Sequence, residues 1–336
     1  MPTIDADAHV IESDRTWDFV EDNKLRPFMV TPGAGRPQNW LIDGRVFNRG
    51  VNVDRGLPEA IREMRDIEGR LKHMDELDID VQVLYPSLFL RPLTTKPEVE
   101  NAICRSYNQW LVDICRKGEG RLCWIAVVPM IDVASAVAEV RFARANGACG
   151  IFSRGLVGDK RLSHPYFFPL YEAAEMADLP LCVHASTGNF DWVQLFEGEN
   201  GFARFKVPVL SAFHSIVCDG VPQRFPKLRY GFIEVRAQWI PYLCVELARR
   251  FERDNLEREK NIIRDNRIYV TCQTDDDLPY ILKYSGEDNI VIGSDYGHAD
   301  TSAEIEALRK LKEMGEVEPG VIDKILYDNA KALYGL

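Results

Sequence analysis

The sequence predicts one α/β domain with the fold of a (β/α)8 TIM barrel, and two observations support this prediction. Short apolar runs alternate with longer segments of helical spacing along the chain, which is typical of a parallel sheet. Eight such runs are present, the number that this barrel requires. A doubly wound open sheet is disfavoured, because no glycine-rich phosphate turn follows the first run, DADAHVIE.

The predicted strands are short apolar runs, most of them ending in polar residues. They are Thr3–Val10, Val81–Ser87, Cys123–Pro129, Ala148–Ser153, Pro180–Ala185, Arg229–Val235, Arg267–Gln273 and Asn289–Asp295. The segments between them repeat apolar residues at the helical period. They include Glu68–Leu77, Val99–Lys117, Ala134–Asn146, Phe167–Ala177, Trp239–Phe251 and Ala303–Met314.

Residues 11–66 interrupt the alternation and are rich in proline and glycine. Within them, Trp40–Phe47 indicates a small hairpin, because its Asp-Gly pair favours a tight turn. We interpret this segment as an insertion after the first strand. Connections after barrel strands emerge at the catalytic face, so we expect the insertion to cover that face. A C-terminal helix is predicted at about residues 319–334, and residues 1–336 form one domain.

Bulk composition is that of a soluble globular protein, with 46% hydrophobic and 28% charged residues. The net charge of −11 argues against a nucleic-acid or anionic-membrane partner, because phosphates would be repelled. The eight cysteines include no Cys-x-x-Cys pair, which favours reduced thiols. Neither a signal peptide nor a membrane span is evident. We therefore expect a cytoplasmic protein.

Metal-capable side chains stand at the ends of four predicted strands. Asp7 and His9 are two apart on the first strand, so they point to the same face. His184 ends the fifth strand, Glu234 the sixth, and Asp295 the eighth, with His298 three residues later. Barrel active sites gather at these strand ends.

Each of these residues has a plain structural interpretation when taken alone. An aspartate at a strand end is usually a turn or helix-cap residue, and we assign Asp300 that role before a helix near Ser302. An isolated histidine such as His184 is more often a hydrogen-bonded core residue. The coincidence at four strands favours a divalent ion, since imidazole and carboxylate together suit Zn, Mn or Fe.

At these residues the chain resembles the amidohydrolase superfamily. It is most similar to the branch of aminocarboxymuconate-semialdehyde decarboxylase and γ-resorcylate decarboxylase. The motifs are D-x-H in DADAHV, the histidine of CVHAS, the stretch RFPKLRYGFIE, and GSDYGHAD. The resemblance implies a metal bound by Asp7, His9, His184 and Asp295. The strand-four end, GIFS, lacks the bridging lysine of two-metal members, which favours one ion.

One departure from the resemblance concerns the sixth strand. The decarboxylases have a catalytic histidine there, where this chain has Glu234 in FIEVR. Related members of the branch resemble this chain in having this glutamate and the S-D-Y-x-H element, and some oxygen-activating members of this fold bind two metals. A second ion would then use Glu234, His298 and His214.

Roles follow for the remaining candidates. Asp295, Glu234 and His298 are expected to act in acid–base catalysis. Arg154 or Arg236 would bind the carboxylate of a small-molecule substrate through a bidentate fork, although an ion pair with a nearby acid is an equal alternative for each. Tyr85 and Trp192 would form an aromatic wall, where plain packing is the alternative.

Three hypotheses of function therefore stay open. The first is a metal-dependent hydrolase or non-oxidative decarboxylase of a small organic acid, with one divalent ion. The second is a two-metal iron or manganese oxygenase on the same barrel, which requires two ions per chain. The third is a non-catalytic subunit with a closed structural metal site. We expect a homo-oligomer or a complex with a paralogue.

Overall fold

The structure is a computed structural model that describes residues 2–31, 33, 38–50, 52–256 and 260–336. Eight parallel strands follow one another around a barrel in chain order. They are β1 (Ile4–Val10), β2 (Val81–Pro86), β3 (Leu122–Val127), β4 (Gly150–Arg154), β5 (Leu181–His184), β6 (Tyr230–Ile233), β7 (Ile268–Cys272) and β8 (Ile290–Ile292). The predicted (β/α)8 barrel is confirmed.

Helices surround the barrel and connect its strands. The main ones are α1 (Ile67–Glu76), α2 (Pro97–Lys117), α3 (Val133–Ala145), α4 (Phe168–Met176), α5 (Val207–Cys218), α6 (Ile240–Arg253), α7 (Leu278–Ser285) and α8 (Ala307–Glu313). Short helical turns occupy Asp14–Trp17, Glu59–Arg62, Leu88–Leu90, Pro165–Phe167, Phe190–Leu195, Val221–Arg224 and Ile262–Asp265. No described helix is both long and apolar enough to cross a membrane.

The barrel closes where β8 meets β1. The backbone N–H of Asp295 donates to the Asp7 carbonyl at 2.9 Å, and the N–H of His9 donates to the Tyr296 carbonyl at 2.8 Å. Asp7 therefore lies beside Asp295, as the sequence predicts. Gly293 permits this approach, since a Cβ atom there would overlap the Cβ of Asp7.

The insertion contains a three-stranded antiparallel sheet of Phe28–Val30, Asn39–Ile42 and Arg45–Asn48. The last two strands form the predicted hairpin, with Asp43 and Gly44 in its turn at positive φ. Farther along, the N–H of Asp54 donates to Gly297, and the N–H of Ala299 donates to Asn52. These bonds attach the insertion to the turn after β8, which supports its predicted placement over the catalytic face.

The C-terminal segment is helical over the predicted range but not uniform. Pro319–Asp323 and Asn329–Tyr334 are α-helical, and Lys324–Asp328 between them is a π-helical turn. Tyr334 reaches under the barrel, where its hydroxyl donates to the Ala6 carbonyl at 2.7 Å. The tail therefore supports β1 from the end of the barrel opposite to the predicted site.

A small antiparallel pair, Leu156–Val157 with Lys160–Arg161, follows β4. The segment after β5 contains a second π-helical turn, Phe202–Lys206. Both lie in connections that leave the C-terminal ends of barrel strands. Such connections form the active-site side of this fold.

Candidate metal centre

Asp7 and His9 enter the barrel from β1, where the pairing with β2 shifts register between Asp5 and Ala8. The imidazole of His9 is fully buried. Its Nδ1 lies 3.0 Å from the carbonyl oxygen of Pro86. A carbonyl can only accept, so Nδ1 carries the proton and Nε2 presents a lone pair, which is the arrangement of a metal-binding histidine.

Asp7, His9 and His184 form one group whose ligand atoms lie within 4.8 Å of one another, and Asp295, three residues beyond β8, joins His9 and His298 in an adjoining group. Asp7 Oδ1 lies 3.4 Å from His9 Nε2 and 3.1 Å from His184 Nε2, and His9 Nε2 lies 3.3 Å from Asp295 Oδ1. Ligand atoms around an ion with bonds of about 2.1 Å are about 3.0–3.4 Å apart in octahedral or tetrahedral geometry. The spacing therefore fits a single divalent ion.

Several buried polar atoms in this cluster lack a hydrogen-bond partner among the described residues. They are His9 Nε2, His184 Nδ1 and Asp295 Oδ2. Buried polar atoms are normally paired, and an orphaned one points to a missing ion or water. The donor set of carboxylate and imidazole is that of a divalent-metal site.

Electrostatics in the cluster also call for a cation. Burial, and then Asp7, raise the pKa of Asp295 well above its ordinary value. Burial would raise the pKa of Asp7 too, but His184 and His9 outweigh it and hold that pKa well below its usual range. Burial, with His298 nearby, lowers the pKa of His9 to about 3. A divalent ion would allow both carboxylates to ionise.

Glu234 lies at the edge of the cluster, with Oε2 3.4 Å from His184 Nδ1. Burial, followed by Asp295, raises its pKa well above the ordinary value. Glu234 and Asp295 both have positive φ, 61° and 52°. Such conformations cost about 1–3 kcal/mol in non-glycine residues and are found mainly at functional sites.

His298 joins Asp295 to β2 through a chain of hydrogen bonds. Ser87 Oγ donates to the Val10 carbonyl at 2.8 Å, so it accepts from His298 Nε2, also at 2.8 Å. The proton of the imidazole is thereby fixed on Nε2. Nδ1 faces Asp295 Oδ1 at 2.7 Å, and two acceptors at this distance must share a proton. His298 and Asp295 thus form a proton-holding pair.

A cavity of about 880 Å³ opens directly above these groups. Ser87, Glu234 and His298 line it, and so does Asn52 from the insertion. Basic side chains contribute Arg91, Arg204, Lys206 and Arg236, and apolar side chains include Leu90, Phe202, Phe205, Leu210 and Trp239. The cavity therefore reaches the cluster through Glu234 and His298, whereas the four predicted metal ligands do not line it.

Of the two predicted substrate-binding arginines, only Arg236 lines the cavity, and it is ion-paired with Asp275. Arg154 is buried outside the lining. Its Nε donates to the Phe89 carbonyl at 2.8 Å, and its guanidinium lies 3.6 Å from Glu100. The structure therefore gives Arg154 a role in holding the connection after β2, because those two groups occupy its guanidinium.

The predicted aromatic wall is not at the cavity. Tyr85 lies inside the barrel, with its hydroxyl 2.9 Å from that of Tyr334 and its ring 5.0 Å from His184. Trp192 braces the connection after β5 by donating from Nε1 to the Ala203 carbonyl at 3.0 Å. Both residues support the site from behind, because their polar atoms are committed to protein partners.

His214 is not brought to the cluster. It lies on α5, half-buried, near the charged groups of Arg250, Asp219 and Glu246. It therefore cannot serve a second ion there. Asp300 accepts the Ser302 N–H at 2.7 Å, as a capping residue does, although α8 begins only at Ala307. Its carboxylate also belongs to a group with Glu234 and Asp295 within 4.8 Å.

Sequence reasoning missed the basic residues of the cavity wall. Arg91 follows a 3-10 turn in LFLRP, and Arg204 and Lys206 lie in a connection with no regular apolar period. No motif distinguishes them from solvated surface residues. Asp300 could have been found, because it shares the motif GSDYGHAD with two other site residues.

Comparisons with solved structures agree with this fold. An amidohydrolase from Mycobacterium avium subsp. paratuberculosis K-10 superposes with a TM-score of 0.84 at 21% identity, covering 100% of this chain and 98% of that one. A 5-carboxyvanillate decarboxylase from Novosphingobium aromaticivorans DSM 12444, complexed with manganese, has a TM-score of 0.67 at 21% identity over 80% of each chain.

A 4-oxalomesaconate hydratase from Rhodopseudomonas palustris has a TM-score of 0.66 at 15% identity, covering 99% of this chain and 95% of that one. At these identities the likeness concerns the fold. Sequence comparison is more specific, because the family described as Amidohydrolase matches residues 4–336. The chain therefore belongs to the amidohydrolase family.

Proposed function

We propose that this chain is a metal-dependent enzyme that hydrolyses or non-oxidatively decarboxylates an organic acid. The observation that carries the proposal is the cluster of Asp7, His9 and His184, with Asp295 beside it, next to a cavity that Glu234 and His298 line. A site closed by protein on all sides would instead suggest a structural metal. The basic residues on the cavity wall favour an anionic substrate.

Asp7, His9, His184 and Asp295 would hold the ion. A divalent ion, when bound, polarises a substrate oxygen or makes a bound water acidic. The His9 Nδ1 bond to Pro86 fixes the orientation of one ligand. The backbone bond between Asp295 and Asp7 fixes the relative position of two others. The ligands are thus positioned by strands, which place side chains more reproducibly than loops.

Proton transfer would fall to the pair of His298 and Asp295. Ser87 holds the His298 Nε2 proton, so that the proton near Nδ1 can be shared with Asp295 Oδ1. Asp295 Oδ2 has no protein partner. Glu234 lines the same cavity and offers a second carboxyl group for acid–base chemistry. These positions support the acid–base roles assigned to all three residues.

A two-metal oxygenase is a second candidate, and one observation favours it. Carboxylate oxygens of Glu234, Asp295 and Asp300 lie within 4.8 Å of one another, next to the first cluster. Two ions sharing Asp295 would explain why three acidic groups meet there. The absence of a lysine at the end of β4, which reads GIFSR, favours one ion.

Metal counting separates these candidates. We expect inductively coupled plasma mass spectrometry to find one ion per chain in the parent and in His298→Ala. The parent should release carbon dioxide or a hydrolysis product from an aromatic carboxylate panel without consuming oxygen. Two ions falling to one in the variant, with oxygen uptake, would instead establish the oxygenase. Full metal loading with no turnover of any panel member would favour a non-catalytic subunit.

The proposed cytoplasmic location and self-association are separate from the chemistry. Light scattering after size exclusion tests for a homo-oligomer. Co-purification with a second family member from the native host would support the paralogue complex.

A further inference from the structure

Three cationic side chains on the cavity wall lack a carboxylate partner. Among the described residues, Arg91, Arg204 and Lys206 form no ion pair within 4.0 Å, although the chain has 52 acidic residues against 41 basic ones. Arg236, on the same wall, is paired with Asp275. Unpaired cations gathered in a cavity of an acidic protein form a site for an anion.

Arg91 is held in place by the backbone that precedes it. The N–H of Thr187 donates to the Leu90 carbonyl at 3.1 Å, and Arg154 donates to the Phe89 carbonyl. The Nε atom of Arg91 is enclosed and has no hydrogen-bond partner. Burial, and then the charge of Arg204, lower its pKa. An enclosed guanidinium nitrogen without a partner among the described residues is costly, so a ligand at this position would explain it.

Arg204 and Lys206 are positioned by the π-helical turn Phe202–Lys206. The carboxylate of Glu199 accepts backbone N–H groups at the start of this turn, including Gly201 at 2.8 Å. Trp192 donates to Ala203 and anchors the turn from outside. Lys206 Nζ lies 3.0 Å from the Ser302 hydroxyl, a neutral partner, and no carboxylate of the described residues lies within 4.0 Å of it.

Apolar side chains cover a substantial part of the wall, which also carries the acidic residues Glu199, Glu234 and Asp300. Its apolar side chains are Leu90, Phe202, Phe205, Leu210, Val235 and Trp239. Cavities of about 300–1,000 Å³ bind drug-sized ligands, and this one, about 880 Å³, lies toward the upper end of that range. A single-ring acid would leave much of this apolar surface in water.

We propose that the cavity binds an amphipathic organic anion whose apolar body is larger than one aromatic ring. Arg91 and Lys206 bind its anionic group, and the apolar side chains cover its body. Arg204 adds positive charge beside them while its guanidinium donates to the Phe196 and Glu199 carbonyls. This inference rests on the proposed function for the location of the site, but it concerns binding and specificity only. It replaces Arg154 and Arg236 with Arg91 as the principal anion contact.

Calorimetric titration of the metal-loaded full chain tests the proposal. The probes are 2-naphthoate, benzoate and 2-naphthalenemethanol, which replaces the carboxylate with a neutral group. We expect naphthoate to bind at least about tenfold more tightly than benzoate, because four more ring carbons are buried. The neutral alcohol should bind at least about tenfold more weakly than naphthoate, because it loses the charge-assisted hydrogen bonds.

Variants assign the anion contact. Arg91→Gln and Lys206→Met should each weaken naphthoate binding by about 10–100-fold, since each removes a charged hydrogen-bond donor. Neither side chain holds protein backbone in the structure, so both variants should melt near the parent temperature. Arg224→Gln is the control. Arg224 lies just before β6, at the opposite end of the barrel, and its guanidinium stacks on the Phe168 ring.

Unchanged naphthoate affinity in both variants would overturn the assignment of the anion site. Equal affinities for naphthoate and benzoate would overturn the inference that the ligand has a large apolar body. Equal affinities for naphthoate and the alcohol would overturn the inference that the ligand is an anion. These measurements require no turnover. A failure of the proposed reaction would appear instead as absent product at normal probe affinity, so the two failures are distinguishable.

Discussion

Two buried carboxylates on the same strand, Asp5 and Asp7, have opposite surroundings. Asp5 accepts from the Ser294 backbone N–H at 2.8 Å, from the Ser294 hydroxyl at 2.6 Å and from Gln82 Nε2 at 2.9 Å. Asp7 faces only the imidazoles of His9 and His184, at 3.4 and 3.1 Å. One carboxylate is satisfied by protein donors, and the other is arranged for a cation.

The difference shows how neighbouring strands assign roles to identical side chains. Gln82 presents its N–H to Asp5 because its own oxygen accepts from Arg70 Nε at 2.7 Å. The positive charge of Arg70 thus supports Asp5 through an amide. No corresponding donor reaches Asp7 from the described residues. Asp5 therefore contributes to the fold, whereas Asp7 has the surroundings of the metal ligand that we propose it to be.

Substituting a proposed metal ligand should have the largest effect, and the quantity affected is the bound metal. Loss of even an outer-shell partner costs about 10–100-fold in metal affinity, so His9→Ala and Asp295→Ala should each lose most of the bound metal. Mass spectrometry of purified protein measures the content. His164→Ala, at an exposed histidine after β4, should keep full loading. Full stoichiometry in both ligand variants would mean that these residues are ordinary core residues.

Removing the metal should come next in size. A ligand at about 1,000 times its Kd stabilises the native state by about 4 kcal/mol. A chelator should therefore lower the free energy of unfolding of the parent by about that amount. Asp7→Asn should respond little to the chelator, because it binds little metal. Equal responses of the two proteins in urea titrations would place the stabilising ion elsewhere.

Asp5→Asn should separate fold from metal binding. The amide N–H groups of the new asparagine would face the N–H and O–H donors of Ser294 and Gln82, which now face a carboxylate. An unsatisfied buried polar group costs about 1–3 kcal/mol. We expect that loss in metal-free protein, while the folded variant still binds metal. Asp7→Asn in the same assay should also lose stability, since it removes the ionic contact with His184, but it should bind little metal. Reversed results would exchange the roles of the two carboxylates.

The smallest effect concerns Glu139, a buried carboxylate on α3 that contacts neither Asp5 nor Asp7. It accepts one hydrogen bond, from Asn108 Nδ2 at 2.9 Å, and burial raises its pKa. The folded state therefore keeps its proton to higher pH than the unfolded chain does. This contribution favours folding at low pH and is lost as pH rises through the folded pKa.

Glu139→Gln keeps an acceptor for Asn108 and removes the titration. From about pH 4 to pH 7, the metal-free variant should lose less free energy of unfolding than the metal-free parent does. The difference between the two losses should be less than about 1 kcal/mol. Urea unfolding at both pH values measures this difference. A parent and variant with identical pH dependence would show that Glu139 titrates alike in both states.

The sequence by itself determined the barrel and pointed to the residues proposed as metal ligands. Eight apolar runs and the helical segments between them specify strands and helices locally, because each pattern reflects which faces are buried. Asp7, His9, His184 and Asp295 could be found because polar residues at the ends of apolar strands are uncommon and the fold brings strand ends together. The Asp-Gly hairpin was likewise specified by two adjacent residues.

Only the tertiary structure decided what each polar side chain faces. Asp5 and Asp7 occur in the same short motif, and their roles differ because Ser294 is 289 residues and Gln82 is 77 residues from Asp5. Arg91, Arg204 and Lys206 share a cavity only because separate connections meet above the barrel. Arg154 was assigned wrongly for the same reason, since its partners Phe89 and Glu100 lie on another connection and on α2. Burial, charge pairing and hydrogen-bond satisfaction depend on chain closure, which no local pattern contains.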